Sequence, residues 1–401
     1  MDDLRMVRDL YGEVPPAPQL EDKIRGRLSV LGMERGDGRA AGRRRMVPRR
    51  PAAFGLGLVA TAAATVVGVA TLGGTSPAAP GHPAQAKSVE LSARTILLTA
   101  AEKAAAEPMG RYWRVDTMGG QSYHTGPATG GYTVVGYSTE ESSWTARSES
   151  DTDMTYDRDL GAHPLTAADK AAWEKAGSPS TWKVWSNDHY AMLSAKPGAT
   201  YGTLPGTWSQ SSKTPAQKTK LKKLAAQMKQ MCKTDAKICA KVEFNAMSWA
   251  DRQKLASDPA RFKELLFPGG AKGTAVKGPL GPATQLMAAY GFLTTQPASP
   301  QVRAAAFRLV AGLPDIRSIG KVQDADGRTG VGLAARATMR DGSATTFDEV
   351  LVLDPMTYKV LGDQRVVVKA GGADRGMKPG TILYQDVVLE AGWTNANPNH
   401  P

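Results

Sequence analysis

Few side chains in this 401-residue chain have the types and spacing that chemistry requires. The five histidines lie far apart in the sequence, and nothing places them together as metal ligands or beside a nucleophile. No segment matches a phosphate-binding Gly-rich loop, a dinucleotide fingerprint, a zinc-protease helix or a serine-hydrolase elbow. We therefore predict no catalytic residue, no metal site and no cofactor, and we expect that the protein is not an enzyme.

An acidic cluster at residues 149–159 invites comparison with a calcium-binding loop. With Asp151 as the first ligand, the sixth position is Tyr156, where the loop needs a glycine, and the twelfth is Ala162, where it needs a bidentate glutamate. Because both positions fail, the cluster is interpreted as a solvated acidic loop. Its members are Glu149, Asp151, Asp153, Asp157 and Asp159.

The chain has two cysteines, Cys232 and Cys239, with six residues between them. In one straight helix their Cα atoms would be about 10 Å apart, so a disulfide requires the chain to turn between them. In an oxidising compartment the pair is a candidate structural disulfide, and two reduced thiols are the alternative. The spacing excludes a C-x-x-C redox motif.

Lysines dominate residues 213–241, where nine of them accompany one acid, Asp235. A helix of this composition can lie against anionic lipid head groups or an anionic envelope polymer. The alternative is a solvated face opposite a stripe of Leu and Met. Although the formal net charge of the chain is +12, nucleic acid is not expected as a partner, because this segment is predicted to lie outside the cell.

Residues 52–74 carry no charge, and a helix of that length reaches about 34 Å, enough to cross a bilayer. Six arginines lie in residues 39–50, whereas residues 75–86 carry no charge, so the positive-inside rule puts the N-terminus in the cytoplasm. Cleavage of a signal peptide at residues 84–86 is the alternative, although its n-region would be about 50 residues long. With 41% hydrophobic residues and one such span, the chain is neither a disordered polyelectrolyte nor a multi-pass membrane protein.

The span divides the chain into five parts. In the cytoplasmic part, an amphipathic helix precedes the Arg-rich juxtamembrane segment, and its apolar side is a candidate docking stripe for a protein, with a solvated tail as the alternative. The stripe consists of Leu20, Ile24, Leu28 and Leu31. The parts are a cytoplasmic tail (1–51), a transmembrane helix (52–74), a Pro/Ala/Gly linker (75–86), an extracytoplasmic domain (87–394) and a short tail (395–401).

The exported part contains helices and strands in separate blocks. Helices are predicted over 87–107, after the N-caps Thr166 and Thr214, and around 248–266, 279–293 and 300–312. Strands are predicted at 112–118, 132–147, 316–324, 328–338, 345–353, 358–368 and 380–390, and the Asp-Gly pairs between the later ones indicate an antiparallel meander. This order favours an α+β domain with an antiparallel sheet and packed helices.

Six of the eight tryptophans lie within one hundred residues of the exported part. A concave half-barrel lined by these rings would suit an acyl chain, and ordinary core packing is the alternative. The six are Trp113, Trp144, Trp173, Trp182, Trp185 and Trp208.

Three segments carry a family resemblance: the opening MDDLRMVRDLYGEVPPAP, the Ala/Gly span after its arginines, and the C-terminal run from RAAAFRLVAGLPDIRSIG to LVLDPMTYKVLGDQRVVV. In them the chain resembles an uncharacterised family of actinobacterial single-pass membrane proteins. Its members are often encoded beside extracytoplasmic-function sigma factors, which implies envelope sensing or sigma-factor control. The C-terminal half also resembles the half-barrel of periplasmic lipoprotein carriers, a likeness of fold that does not transfer function.

Three functions follow as hypotheses. The first is a non-enzymatic, membrane-anchored envelope protein whose exported domain binds a lipid, a wall component or a partner protein. The second is an anti-sigma-like regulator whose cytoplasmic tail holds a sigma factor; a zinc-dependent kind is not expected, because residues 1–50 contain neither His nor Cys. The third is an exported hydrolase, for which no nucleophile and base can be paired by sequence.

Overall fold

The computed structural model describes residues 91–126, 131–186, 189–198, 204–231, 243–244, 247–268, 281–339, 344–399 and 401. The predicted cytoplasmic tail, membrane span and linker lie outside these residues. Among the helices of the described ranges, none is both long and apolar enough to cross a membrane.

Twelve strands are present in the described part of the chain. They are β1 (Tyr112–Thr125), β2 (Tyr132–Ala146), β3 (Asp153–Asp159), β4 (His163–Pro164), β5 (Thr181–Ser186), β6 (His189–Ser194), β7 (Ser209–Lys213), β8 (Arg317–Gln323), β9 (Thr329–Thr338), β10 (Thr346–Leu353), β11 (Val360–Lys369) and β12 (Ile382–Thr394). Ten of them form one antiparallel sheet in the order β7-β3-β2-β1-β12-β11-β10-β9-β8, with β4 paired to β2. The other two, β5 and β6, form a separate hairpin.

Seven α-helices lie in the same described ranges, and local sequence signals mark where several of them begin. The Ser92 hydroxyl accepts from Thr95 N, and Thr166 and Asp169 form a complete capping box. Four helices begin at proline, whose missing N–H is not needed in a first turn. They are α1 (Ala93–Ala105), α2 (Ala167–Lys175), α3 (Pro215–Met231), α4 (Trp249–Lys254), α5 (Pro259–Leu266), α6 (Pro282–Thr295) and α7 (Pro300–Ala311).

The main core lies between one face of the large sheet and helices α1, α5, α6 and α7. Side chains alternate along a strand, so Leu351 and Leu353 of β10 face the helices, while Val350 and Val352 pack in a second cluster on the opposite face. Both faces of β10 are therefore buried at these positions. From the helical side, Leu286, Leu293 and Val310 fill this space and are fully inaccessible to solvent.

The predicted α+β architecture with a large antiparallel sheet is confirmed, as is the meander from β8 to β12. The capping box at Thr166 and the helix that starts after Thr214 are also confirmed. Two features were not predicted: the strands β3 to β7, and the pairing of β12 with β1, which joins the meander to the N-terminal strands. In that pairing Tyr112 lies opposite Thr394.

Candidate binding surface

The β5–β6 hairpin is held to the large sheet by its inner face. Successive strand residues point to opposite faces, so every second side chain of the hairpin faces inward. Trp182 Nε1 donates to Tyr132 Oη at 3.0 Å, and the hydroxyls of Tyr123 and Ser186 lie 3.1 Å apart. The inner side chains are Trp182, Val184, Ala191 and Leu193, which are buried against Tyr123, Tyr132, Val134 and Ala162.

Gly136 of β2 sets how closely the hairpin approaches the sheet. A Cβ atom at this position would lie 2.5 Å from Cδ1 of Leu193, a distance that real side chains do not reach. A glycine in a strand often marks such a close approach. The absence of a side chain at position 136 therefore lets Leu193 of the hairpin pack directly on the backbone of β2.

The outer face of the hairpin exposes four large side chains, which we call the aromatic face. Lys183 is opposite Met192 and Trp185 is opposite Tyr190 across the two strands. The exposed fractions are 44% for Trp185, 63% for Tyr190 and 65% for Met192. The two rings meet edge to face with centroids 5.0 Å apart, and Lys183 Nζ lies 4.4 Å from the centroid of Tyr190.

This clustering distinguishes the aromatic face from a singly exposed apolar residue. Met356, for example, is 79% exposed in the turn between β10 and β11, and a single exposed residue of this kind needs no explanation. On the aromatic face, by contrast, two aromatic rings and a thioether occupy neighbouring positions on one side of a ribbon. Contiguous apolar surface of this kind is typical of interaction sites.

The six tryptophans, for which a half-barrel lining and ordinary core packing were the two interpretations, have several different environments. Trp113, Trp144 and Trp182 are buried, so the core-packing alternative is confirmed for these three. Trp173 and Trp208 are partly buried against smaller core clusters, and Trp185 is exposed.

Sequence reasoning missed the aromatic face because it did not assign strands at 181–194. The signal for a strand was present in the sequence, because Trp182 and Val184 alternate with Lys183 and Trp185.

The interpretation of the acidic cluster as a solvated loop is wrong, because Asp153, Asp157 and Asp159 belong to β3 and Asp157 is buried. The cluster pairs with the lysine-rich helix. Lys218 Nζ of α3 lies 2.5 Å from Asp153 Oδ1, and Lys222 pairs with Glu149. Asp151 receives two hydrogen bonds from Arg111, which lower the pKa of its carboxyl. No group of three or more potential metal-ligating side chains is found among the described residues. On the same helix, Lys220 and Lys223 remain exposed to solvent.

A pair of buried acids, Glu349 on β10 and Asp363 on β11, includes the carboxyl group with the most strongly shifted pKa. Burial, followed by the nearby Glu349, raises the pKa of Asp363 well above its ordinary value. Arg365 Nε donates to Glu349 Oε2 at 2.8 Å, and a proton on Asp363 allows that group to donate to Glu349 as well. Perturbed carboxyls often mark active sites. Here, however, Glu349 and Asp363 are only 1% and 2% exposed, so a substrate has no access to them.

A cavity of about 410 Å³ opens beside α4 and α5. Its walls carry charges of both signs, and Glu243 and Arg261 form an ion pair across them. Such a lining does not suit an acyl chain, which requires apolar walls. The charged lining residues are Glu243, Asp251, Lys254, Asp258 and Arg261.

The site residues predicted from the sequence lie outside the described residues. This applies to the candidate disulfide and to the cytoplasmic docking stripe, so both stay predictions. They are Cys232 and Cys239 for the disulfide, and Leu20, Ile24, Leu28 and Leu31 for the stripe.

No family model matches the chain, and no curated protein and no solved structure shows significant similarity to it. Its function is therefore inferred from its own residues.

Proposed function

We propose that this protein is a non-enzymatic, membrane-anchored envelope protein whose exported α+β domain binds an envelope component through the aromatic face. The exposure of Trp185, Tyr190 and Met192 on one side of the hairpin carries the proposal. Residues 52–74 are the anchor, and the arginines before them keep the N-terminus in the cytoplasm. The domain from residue 87 onward is then displayed outside the cell.

Binding on an outer surface is favoured over enclosure of an acyl chain. In this proposal the large sheet curves around its helices as a half-barrel, as the resemblance to lipoprotein carriers implies. The side that would hold a lipid is occupied by the chain's own helices, because Leu286, Leu293 and Val310 are completely buried there. An acyl chain could enter only if these close-packed side chains moved apart.

Photo-crosslinking in intact cells tests this function. With p-benzoylphenylalanine replacing Tyr190, we expect an adduct with an envelope component after irradiation, because this side chain projects from the aromatic face. The matched control places the same residue at Met356, which is even more exposed but isolated in a turn. Equal adduct yields at the two positions, or none at either, would contradict a binding role for the hairpin.

A further inference from the structure

We propose that the occupant of the aromatic face is the bilayer itself, namely the head-group region of the membrane in which residues 52–74 are anchored. This inference rests on the proposed function, since it requires the anchor. Besides the anchor, the exported domain then has a second, peripheral contact with the membrane. The domain therefore lies against the lipid surface in a fixed orientation.

The side chains of the aromatic face have the chemistry that the membrane interface selects. Trp and Tyr have an apolar body and a polar edge, and they are enriched where hydrocarbon meets head groups. Lys183 can bury its methylene stem while its ammonium group contacts phosphate. The two pairs Lys183–Met192 and Trp185–Tyr190 are cross-strand neighbours on one face, so all four side chains project in the same direction.

The charge around the hairpin suits anionic head groups. Helix α2, the hairpin and the segment directly after β6 expose four lysines, at positions 170, 175, 183 and 196. Glu174 pairs with Lys170 at 3.9 Å, so these two residues add no net charge, and Asp169 completes the capping box. Lys175, Lys183 and Lys196 therefore carry the positive charge of this region. Clustered lysines near a membrane surface are attracted to anionic lipids.

The tether keeps the aromatic face near the lipid. Between Gly74, at the end of the predicted span, and Leu91, where the described structure begins, the chain advances 17 residues. Fully extended, these residues reach about 60 Å. Because this tether raises the effective concentration of lipid at the aromatic face, even a weak contact is enough to hold the domain against the bilayer.

The small size of the aromatic face favours lipid over a protein partner. A stable protein interface uses about 20–30 residues on each side. The four large side chains of the aromatic face fall far below that number. The strength of peripheral binding to a bilayer, by contrast, increases with the apolar area that is inserted and requires no minimum number of residues. The firm backing of the ribbon by Trp182 and Leu193 keeps the four side chains presented outward.

Tryptophan quenching by lipid measures the contact directly. All eight tryptophans follow residue 112, so the anchor contributes no tryptophan signal. The full chain is reconstituted in vesicles of phosphatidylcholine and phosphatidylglycerol that contain lipids brominated near the head group. We expect quenching, with at least half of it lost in Trp185→Phe and none lost in Trp208→Phe, the matched control at a partly buried ring. Lys183→Glu is expected to reduce the quenching at least twofold.

The outcomes separate the two proposals. If the chain floats with the vesicles but wild type and Trp185→Phe are quenched equally, or not at all, the bilayer contact is wrong and the anchored envelope protein stands. A protein adduct at residue 190 in cells, without quenching in pure lipid, also overturns the bilayer contact and identifies a protein partner instead. If the chain does not float, the anchor is wrong and both proposals fall. Near-UV circular dichroism confirms that each variant is folded.

Discussion

Replacement of Trp113 by Ala is expected to lower the free energy of unfolding by about 3–5 kcal/mol, as for other large aromatic residues in cores. Trp113 is 1% exposed, and its Nε1 donates to Thr294 O at 2.6 Å. The guanidinium carbon of Arg303 lies 4.0 Å from the centroid of its ring. Burial lowers the pKa of Arg303 to about 10, against the opposing effect of Glu107, and the guanidinium also donates to Leu293 O. Loss of the ring therefore removes one of three interactions that compensate this buried cation.

Thermal unfolding of the full chain in detergent, followed by circular dichroism, measures the effect. The melting temperature of Trp113→Ala should fall by roughly 10 °C, at about 2–4 °C for each kcal/mol. Trp185→Ala is the matched control, because its ring is exposed, and a surface substitution of this kind changes stability by about 0.5 kcal/mol or less. A loss in Trp185→Ala as large as that in Trp113→Ala would show that the hairpin ring belongs to the core and not to a binding surface.

Asp363→Asn is expected to stabilise the protein increasingly as the pH rises. Burial and Glu349 raise the pKa of Asp363 in the folded state, so the folded protein retains a proton that the unfolded chain releases above about pH 4. The contribution of Asp363 to wild-type stability therefore falls with rising pH, by at most about 1.4 kcal/mol per pH unit, until the folded-state pKa is passed. Asparagine has no proton to lose, and its amide can still donate to Glu349. Urea unfolding at pH 5, 6.5 and 8 should show a growing advantage for the variant.

Asp348 neighbours Glu349 on β10, so its side chain points to the opposite face of the sheet. Asp348→Asn should behave in the opposite way to Asp363→Asn. Burial raises the pKa of Asp348, but hydrogen bonds from Arg336 and Arg317 outweigh it and lower that pKa overall. The contribution of this carboxylate to stability is therefore present above about pH 4 and is lost as the pH falls through the lowered value. The variant should be less stable than wild type at pH 7. Two substitutions that shift stability in the same direction would contradict the assignment of charges to the two faces.

Local signals account for the parts of the fold that the sequence predicts well. Thr166 and Asp169 can be recognised as a capping box because the interaction spans three residues. The alternation of side chains and the Asp-Gly turns similarly identify the strands of the C-terminal meander. The residues SQSSK of β7 contain no apolar side chain, so only their pairing with β3 at the sheet edge makes them a strand. Pairing of this kind is tertiary, and no local pattern predicts it.

The candidate sites were harder to predict because their meaning depends on distant partners. The lysines of α3 and the acids of residues 149–159 are each consistent with a solvated run, and only the fold brings Lys218 to Asp153 across 65 positions of sequence. A count of tryptophans likewise cannot separate Trp182 from Trp185. Trp182 and Trp185 point to opposite faces of β5. The face that carries Trp182 packs against the sheet, where Gly136 of β2 leaves room for Leu193, the cross-strand partner of Trp182.

We propose that the anchor at residues 52–74 displays the α+β domain outside the cell, and labelling of single cysteines tests this topology. In a chain with Cys232 and Cys239 changed to Ser, Met356→Cys places a thiol at a site that is 79% exposed. Ser29→Cys places one in the predicted cytoplasmic tail. With a membrane-impermeant maleimide, we predict labelling of position 356 in intact cells and of position 29 only after permeabilisation. Protection of position 356 in intact cells, or labelling of both positions without permeabilisation, would contradict the claim.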